Sequence, residues 1–418
     1  MNRIAIALFA LGAACSSNSS PHGTLIDAAA KSDAAQGSGA PPADAGPQTV
    51  QVVSEASTPT YVAYRAGSGA WMTPALESDG YTYDVVATED YVFVAAAIST
   101  DGSISIAEVA AMAADGMQYF YCYSDDDLGG GGQAVAVTGT MKQPGMVQML
   151  EAETGSAANW TFSIAEPPSF TTDLFAVDST SMMAMRDVAI GSGATQSVGS
   201  IDLSNSGTAL VSSPITIANL DGGDTVSTTS YLSTANYTSL ALTGTSATAM
   251  TIPPATLVVT GDFQTFEVDT YNATSARREQ IYNTLPTAFT LLGDLTGITF
   301  STATATWSSP LSTSMSDFFV DIEGTSQTAP TYDVNITAMP DWLTATHATS
   351  LAIDESAPGW QPTWSFWTTK PYQPGFGAEL YDGDTSYASV EALGVSASPA
   401  IRANHLRRRG VAIRRNHR

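Results

Sequence analysis

From Thr49 onward, apolar and polar positions along the chain alternate with a period of two. Val50-Gln-Val-Val53, Tyr61-Val-Ala-Tyr64, Tyr81-Thr-Tyr-Asp-Val-Val86 and Tyr91-Val-Phe-Val-Ala95 are β-branched and aromatic runs. That is the pattern of strands whose side chains point to alternate faces. Thr88-Glu-Asp90 predicts a short hairpin loop between the last two runs, and Asp101-Gly102 and Asp115-Gly116 predict turns. Residues 106–114 are rich in Ala, which favours helix, but their place between two Asp-Gly turns predicts a strand. Asp125-Asp-Asp-Leu-Gly-Gly-Gly-Gly132 then reads as a hinge that closes an N-terminal β domain over 48–128.

The same grammar continues beyond the hinge. Val135-Ala-Val-Thr-Gly-Thr, Gly145-Met-Val-Gln-Met, Asn159-Trp-Thr-Phe-Ser-Ile164, Asp173-Leu-Phe-Ala-Val177, Arg186-Asp-Val-Ala-Ile190 and Ser200-Ile-Asp-Leu203 are short runs at sandwich spacing. Their order over 133–205 resembles carboxypeptidase-regulatory-like (transthyretin-like) β-sandwich modules. These run from a V-x-G-x-V start through an aromatic strand and a YDL-x-A strand to an I-D-L end. Pro167-Pro168-Ser-Phe170-Thr-Thr stands where the Gly-x-Tyr of that pattern precedes its third strand. The resemblance implies architecture alone, because such modules are accessory. Further strand runs fill 206–395, among them Ala255-Thr-Leu-Val-Val-Thr260, Phe318-Phe-Val-Asp-Ile322 and Tyr332-Asp-Val-Asn-Ile336. The expected fold is all-β: two or three tandem antiparallel β-sandwich domains, with 206–395 as the C-terminal one.

The N-terminus has a different pattern. Arg3 precedes an unbroken apolar run, Ile4-Ala-Ile-Ala-Leu-Phe-Ala-Leu-Gly-Ala-Ala14, and Cys15 follows it. A positive start, a short apolar core and small residues before a cut site make a secretory signal. The run falls short of the roughly 20 apolar residues that span a bilayer. Leu11-Gly12-Ala13-Ala14-Cys15 resembles the lipobox of bacterial lipoproteins, with Gly12 where such motifs favour Leu. The resemblance implies lipidation of Cys15, a membrane partner through the lipid anchor, and a place in the cell envelope, at the outer membrane or cell surface. Residues 16–47 are mostly Ser, Ala, Asp, Gly and Pro, without hydrophobic period, and read as a disordered tether.

Charge narrows the partners. The chain of 418 residues holds 15 Lys and Arg against 40 Asp and Glu, net −25. Seven of the basic residues fall in 402–418, which holds no acid, so residues 1–401 carry 8 − 40 = −32. Such a body repels phosphate backbones, and nucleic acid is not an expected partner. The basic tail, 396–418, is expected to be disordered. It reads as an arm for anionic lipopolysaccharide or nucleic acid, as an arm lying on the acidic body, or as the translation of a shifted reading frame.

Familiar catalytic chemistry is missing from the sequence. Between tether and tail there is one histidine, His347. There is no Gly-x-Ser-x-Gly elbow, no His-Glu-x-x-His and no P-loop lysine. The second cysteine, Cys122, lies in a β-rich run and reads as a buried, inert thiol. Asp125, Asp126 and Asp127, Asp221 with Asp224, and Asp382 with Asp384 could supply oxygen ligands to Ca²⁺, the one cofactor considered. The same residues could be solvated turns. Trp360, Trp364, Trp367 and Tyr372 form the densest aromatic cluster. They could stack on glycans, or Trp364 and Phe366 could share a strand face and fill a core. The reading is a non-catalytic envelope lipoprotein that binds or scaffolds at the cell surface, with glycans or other envelope proteins as partners. A carbohydrate-binding protein using the aromatic cluster is one alternative. A hydrolase of an envelope polymer, using two carboxylates roughly 5–10 Å apart, is another.

Overall fold

The period-two runs become strands. The structure is a computed structural model that describes residues 46–54, 59–122, 134–150, 152–154, 159–165, 170–191, 195–236, 238–272, 276–301, 304–324, 332–354, 356–357, 372–382 and 385–393. The fold is all-β: among the described residues, α-helix is confined to Leu203–Ser206 and Pro340–Thr346. The chain divides into two compact units, one built from Leu128–Gly207 with Asn236–Thr238 and the other from the stretches that flank them.

The first unit is a sandwich. In one sheet Met146–Met149 lies between Ala152–Thr154 and Phe170–Val177, and Phe170–Val177 pairs on with Ser181–Ile190, all antiparallel. In the other, Ala134–Met141 pairs antiparallel with Asn159–Ala165 and parallel with Thr195–Ile201. Val137, Trp160 and Phe162 from the second sheet meet Val147, Met149 and Leu174 from the first in one buried cluster. Facing apolar sides of two sheets make such a core. Trp160 needs Gly139 opposite it, since a Cβ there would stand 2.2 Å from the indole ring. The Ser200-Ile-Asp-Leu run is a strand only to Ile201: Asp202 caps the short helix that follows, accepting the Ser204 N–H.

The second unit is organised on an eleven-stranded sheet. In spatial order its strands are Ser239–Gly244, Thr225–Ser233, Phe263–Tyr271, Ala276–Tyr282, Ser386–Leu393, Tyr372–Asp382, Asp317–Gly324, Tyr332–Ala338, Ile104–Met112, Asp90–Ile98 and Tyr61–Ala66. Neighbours run antiparallel except Tyr332–Ala338 and Ile104–Met112, which are parallel. Strands from the expected 48–128 and 206–395 domains are thus adjacent in one sheet, and tandem order does not describe it.

The physical reason lies in the central strands, which are buried on both faces. On one face Val92, Val94, Ile106, Val320 and Ile336 pack under Trp307 and Leu351 of the small sheet Ile298–Ser301, Thr304–Trp307 and Ser350–Ala352, with Leu343 of the helix. On the other, Tyr91, Phe93 and Val109 pack under Val50, Val52, Tyr83 and Phe120. These belong to the sheet of Ala75–Leu76, Thr82–Ala87, Gln48–Ser54 and Gln118–Phe120. A strand covered on both sides has no polar face to show, so Asp90–Ile98 reads as a continuous apolar run. Thr88-Glu-Asp90 is accordingly no hairpin, because its flanking strands enter different sheets. Asp101-Gly102 does close one: Asp101 Oδ1 accepts the Ser103 N–H at 2.8 Å between the paired strands Asp90–Ile98 and Ile104–Met112.

One smaller expectation is corrected. Residues 255–260 form no strand; after Pro253-Pro254 the chain makes a 3-10 turn at Ala255–Leu257. His347 ends the helix Pro340–Thr346 in the left-handed conformation, φ 53°.

Candidate functional site

Most residues singled out from the sequence, namely Cys15, Asp125, Asp126, Asp127, Trp360, Trp364, Trp367 and Asp384, lie outside the described residues. Tyr372 opens the strand Tyr372–Asp382 and Asp382 ends it. The Asp382 carbonyl accepts the Thr385 N–H at 3.2 Å and its hydroxyl at 2.7 Å, so Asp382 closes a turn. Among the described residues, no group of three or more His, Cys, Asp or Glu is placed to hold a metal ion. Cys122 is buried, its thiol donates to the Ser105 carbonyl at 3.1 Å, and burial pushes the thiol up to about 12.

The Asp221-Gly-Gly-Asp224 turn holds a cation of the chain's own. Gly223 takes φ 105°, which tightens the turn until the Asp221 N–H donates to Asp224 Oδ2 at 3.0 Å. Arg278 reaches this turn from the strand Ala276–Tyr282. Its Nη2 contacts Asp224 Oδ2 and, at 2.8 Å, Asp221 Oδ2, while its Nη1 donates to the Asn219 carbonyl at 2.7 Å. The Arg278 side chain is only 3% exposed. A guanidinium therefore occupies the place considered for calcium. The other basic side chains among the described residues are ion-paired too: Arg65 with Asp354, Lys142 with Asp202, Arg186 with Asp173, and Arg277 with Asp269.

In the first unit a β-bulge near Asp173 gathers a compact network. Asp173 Oδ2 accepts from Arg186 Nη1 at 2.8 Å, and its Oδ1 accepts the Asp187 N–H at 2.9 Å and Asn236 Nδ2 at 3.0 Å. Such a satisfied carboxylate holds chain segments in register.

Two further clusters lie on the eleven-stranded sheet. Glu108 sits among the core residues of Ile104–Met112, between Val94 and Ile336 in register. Its Oε2 accepts the Asp354 N–H at 2.7 Å. Asp354 Oδ2 pairs with Arg65 Nη2 at 2.7 Å, and Asp354 Oδ1 accepts the Ser356 hydroxyl at 2.5 Å. Ser356 Oγ in turn accepts the Trp71 indole N–H at 3.2 Å, and the Arg65 guanidinium lies 5.1 Å from the centre of the Trp71 ring. Burial pushes the Glu108 carboxyl up to about 8, against the opposing pull of the Asp354 N–H.

On the opposite side of the sheet the register lines up Asp269, Glu279, Ser389, Glu379 and Asp317 across five strands. Glu379 accepts hydroxyl bonds from Tyr381 at 2.6 Å and Tyr387 at 2.9 Å. Burial pushes the Tyr387 phenol well above its ordinary range. Gly375 and Gly377 leave room on this side: a Cβ would strike the Glu391 carboxylate in one case and the Phe319 ring in the other. Carboxylates and phenols so arranged accept hydroxyl donors and cations and repel anions.

The sequence reading missed Glu108, Glu379 and Arg278. Glu108 had a signal, a lone acid inside an Ala-rich apolar strand, and Arg277-Arg278 is the one adjacent pair of basic residues ahead of the tail. For Glu379 the signal was partial: Tyr381, two positions on, shares its strand face, but Tyr387 reaches it only through strand pairing. No protein-family model matches the chain, and no curated protein sequence matches it.

Proposed function

We propose that the chain is a non-catalytic, lipid-tethered protein of the bacterial cell envelope, whose β-body binds or scaffolds at the cell surface. The observation that supports a binding body over an enzyme is the employment of its buried and half-buried ionisable groups. Arg278, Arg186, Arg65 and Glu108 each fasten one segment of chain to another. Glu379 is capped by two phenols. A catalytic carboxylate must instead turn toward a substrate. Polyanions do not suit this body, because its described basic side chains are paired internally. For a glycan partner, the described feature that fits is Tyr381, 46% exposed, whose hydroxyl is held by Glu379 so that the ring is fixed for stacking.

Mass spectrometry of the mature protein from membranes tests the tether. The expected N-terminus is a diacylated Cys15, because two acyl chains anchor stably where one does not. A mature chain that starts elsewhere, or starts at Cys15 without acyl groups, overturns the proposal.

A further inference from the structure

We propose that Glu108 is an acid-closed latch that holds Asp354, Ser356 and the Trp71 indole against the sheet and loosens as its proton is lost. The geometry gives the latch three links in series. Glu108, on the Ile104–Met112 strand, takes the Asp354 N–H; Asp354 takes Arg65 and Ser356; Ser356 takes the Trp71 indole N–H. The first link sits in the driest place. Glu108 is 5% exposed, and Val94 and Ile336 flank it in the sheet. Trp307 and Leu351 of the small sheet and Leu343 of the helix Pro340–Thr346 belong to the same core.

Among the described residues, two charged side chains act on Glu108. From the segment after Ser350–Ala352 come the Asp354 N–H, which favours ionisation, and the Asp354 carboxylate, which opposes it; from Tyr61–Ala66 comes Arg65, which favours it. The small sheet and the helix bring Ala305, Trp307, Leu351 and Leu343 to this core. The helix carboxylate Asp341 acts on Asp115 instead. An ionised Glu108 would therefore stand in a dry core beside a second carboxylate, whose effect its partner Arg65 opposes. Releasing the Asp354 N–H and its carboxylate from this place admits water to both.

The linkage fixes the direction. With the latch open, Glu108 meets water and titrates at its ordinary 4.5; with the latch closed it titrates at about 8. The closed form holds its proton more tightly, so closure is strongest below the open-state value and weakens as pH rises. The opening constant climbs about tenfold per pH unit between the two values and levels off above the higher one.

Hydrogen exchange of the whole protein, followed by mass spectrometry between about pH 5 and pH 9 and corrected for intrinsic exchange, reads this opening. The expected result is that protection of the Asp354 amide falls about tenfold per pH unit up to pH 8 and then flattens. Amides of Asp90–Ile98 should keep their protection. Glu108→Gln retains an uncharged acceptor, so its protection should not depend on pH. Asp354→Asn removes the like charge and frees Arg65, so its plateau should begin at lower pH. Protection in the native sequence that is flat over this range, or an equal fall in Glu108→Gln, overturns the latch. Should Glu108→Gln not fold, Asp354→Asn decides, and an unshifted plateau overturns it.

Discussion

Arg278 is the side chain on which the second unit should depend most visibly. Its guanidinium is 3% exposed and faces Asp224, whose side chain is also 3% exposed. Asp221, 54% exposed, and Asp294, 43% exposed and 3.7 Å away, are solvated enough to add little. Truncation to Ala leaves Asp224 buried without a counter-ion, which costs about 3–5 kcal/mol. The Asn219 carbonyl, which accepts from Nη1, also loses its partner, but Asn219 is exposed and water can take the place of that bond. The expected loss is thus about 4 kcal/mol, a large share of the roughly 5–15 kcal/mol that holds a domain folded. Arg278→Lys keeps the charge but loses the fork and should fall midway. Urea unfolding followed by fluorescence measures it, with Asp224→Asn and the Arg278→Ala/Asp224→Asn double variant completing the cycle. The double variant should be much less damaged than the sum of the singles. Additive losses, or an Arg278→Ala loss under about 1 kcal/mol, would refute a buried, coupled ion pair.

Gly139→Val should destabilise the first unit by about 1–3 kcal/mol, since the new side chain meets the Trp160 ring and strand residues cannot step aside; an unchanged urea midpoint would contradict the packing. Cys122 should resist a maleimide in the native protein at pH 8 and label promptly in urea, because burial pushes its thiol up to about 12; native labelling at the rate of a free thiol would contradict its burial.

The fold was legible wherever a strand has one apolar face or two. Tyr61–Ala66, Asp90–Ile98 and Asp317–Gly324 stand out because burial selects β-branched and aromatic residues. Thr225–Ser233, Ala276–Tyr282 and Tyr372–Asp382 did not stand out, yet they are strands of the same sheet. Their sequences, Thr-Val-Ser-Thr-Thr-Ser-Tyr-Leu-Ser among them, satisfy buried polar atoms by hydrogen bonds across strands, as Ser230 does with the Thr251 carbonyl at 2.7 Å. A hydrophobic pattern cannot register that. Partnering was hidden for a different reason. The Asp221-Gly-Gly-Asp224 turn was visible as a turn, but its cation is Arg278, more than fifty positions later, and only the sheet brings the two together. The same holds for Glu108 and Asp354, which no local window contains.

The parallel pairing of Ile104–Met112 with Tyr332–Ala338 has a consequence for how the chain is made. Ile104 meets Tyr332 across the register, 332 − 104 = 228 positions later. When the first of these strands leaves the ribosome, the edge that will cover it does not yet exist. An Ala-, Val- and Ile-rich strand must wait with an open flank while the whole first unit is synthesised. Closing so long a loop before any contact rewards it makes folding slow. A chain that folds late keeps that flank open to other chains for longer, and the cover for it arrives only with Tyr332–Ala338.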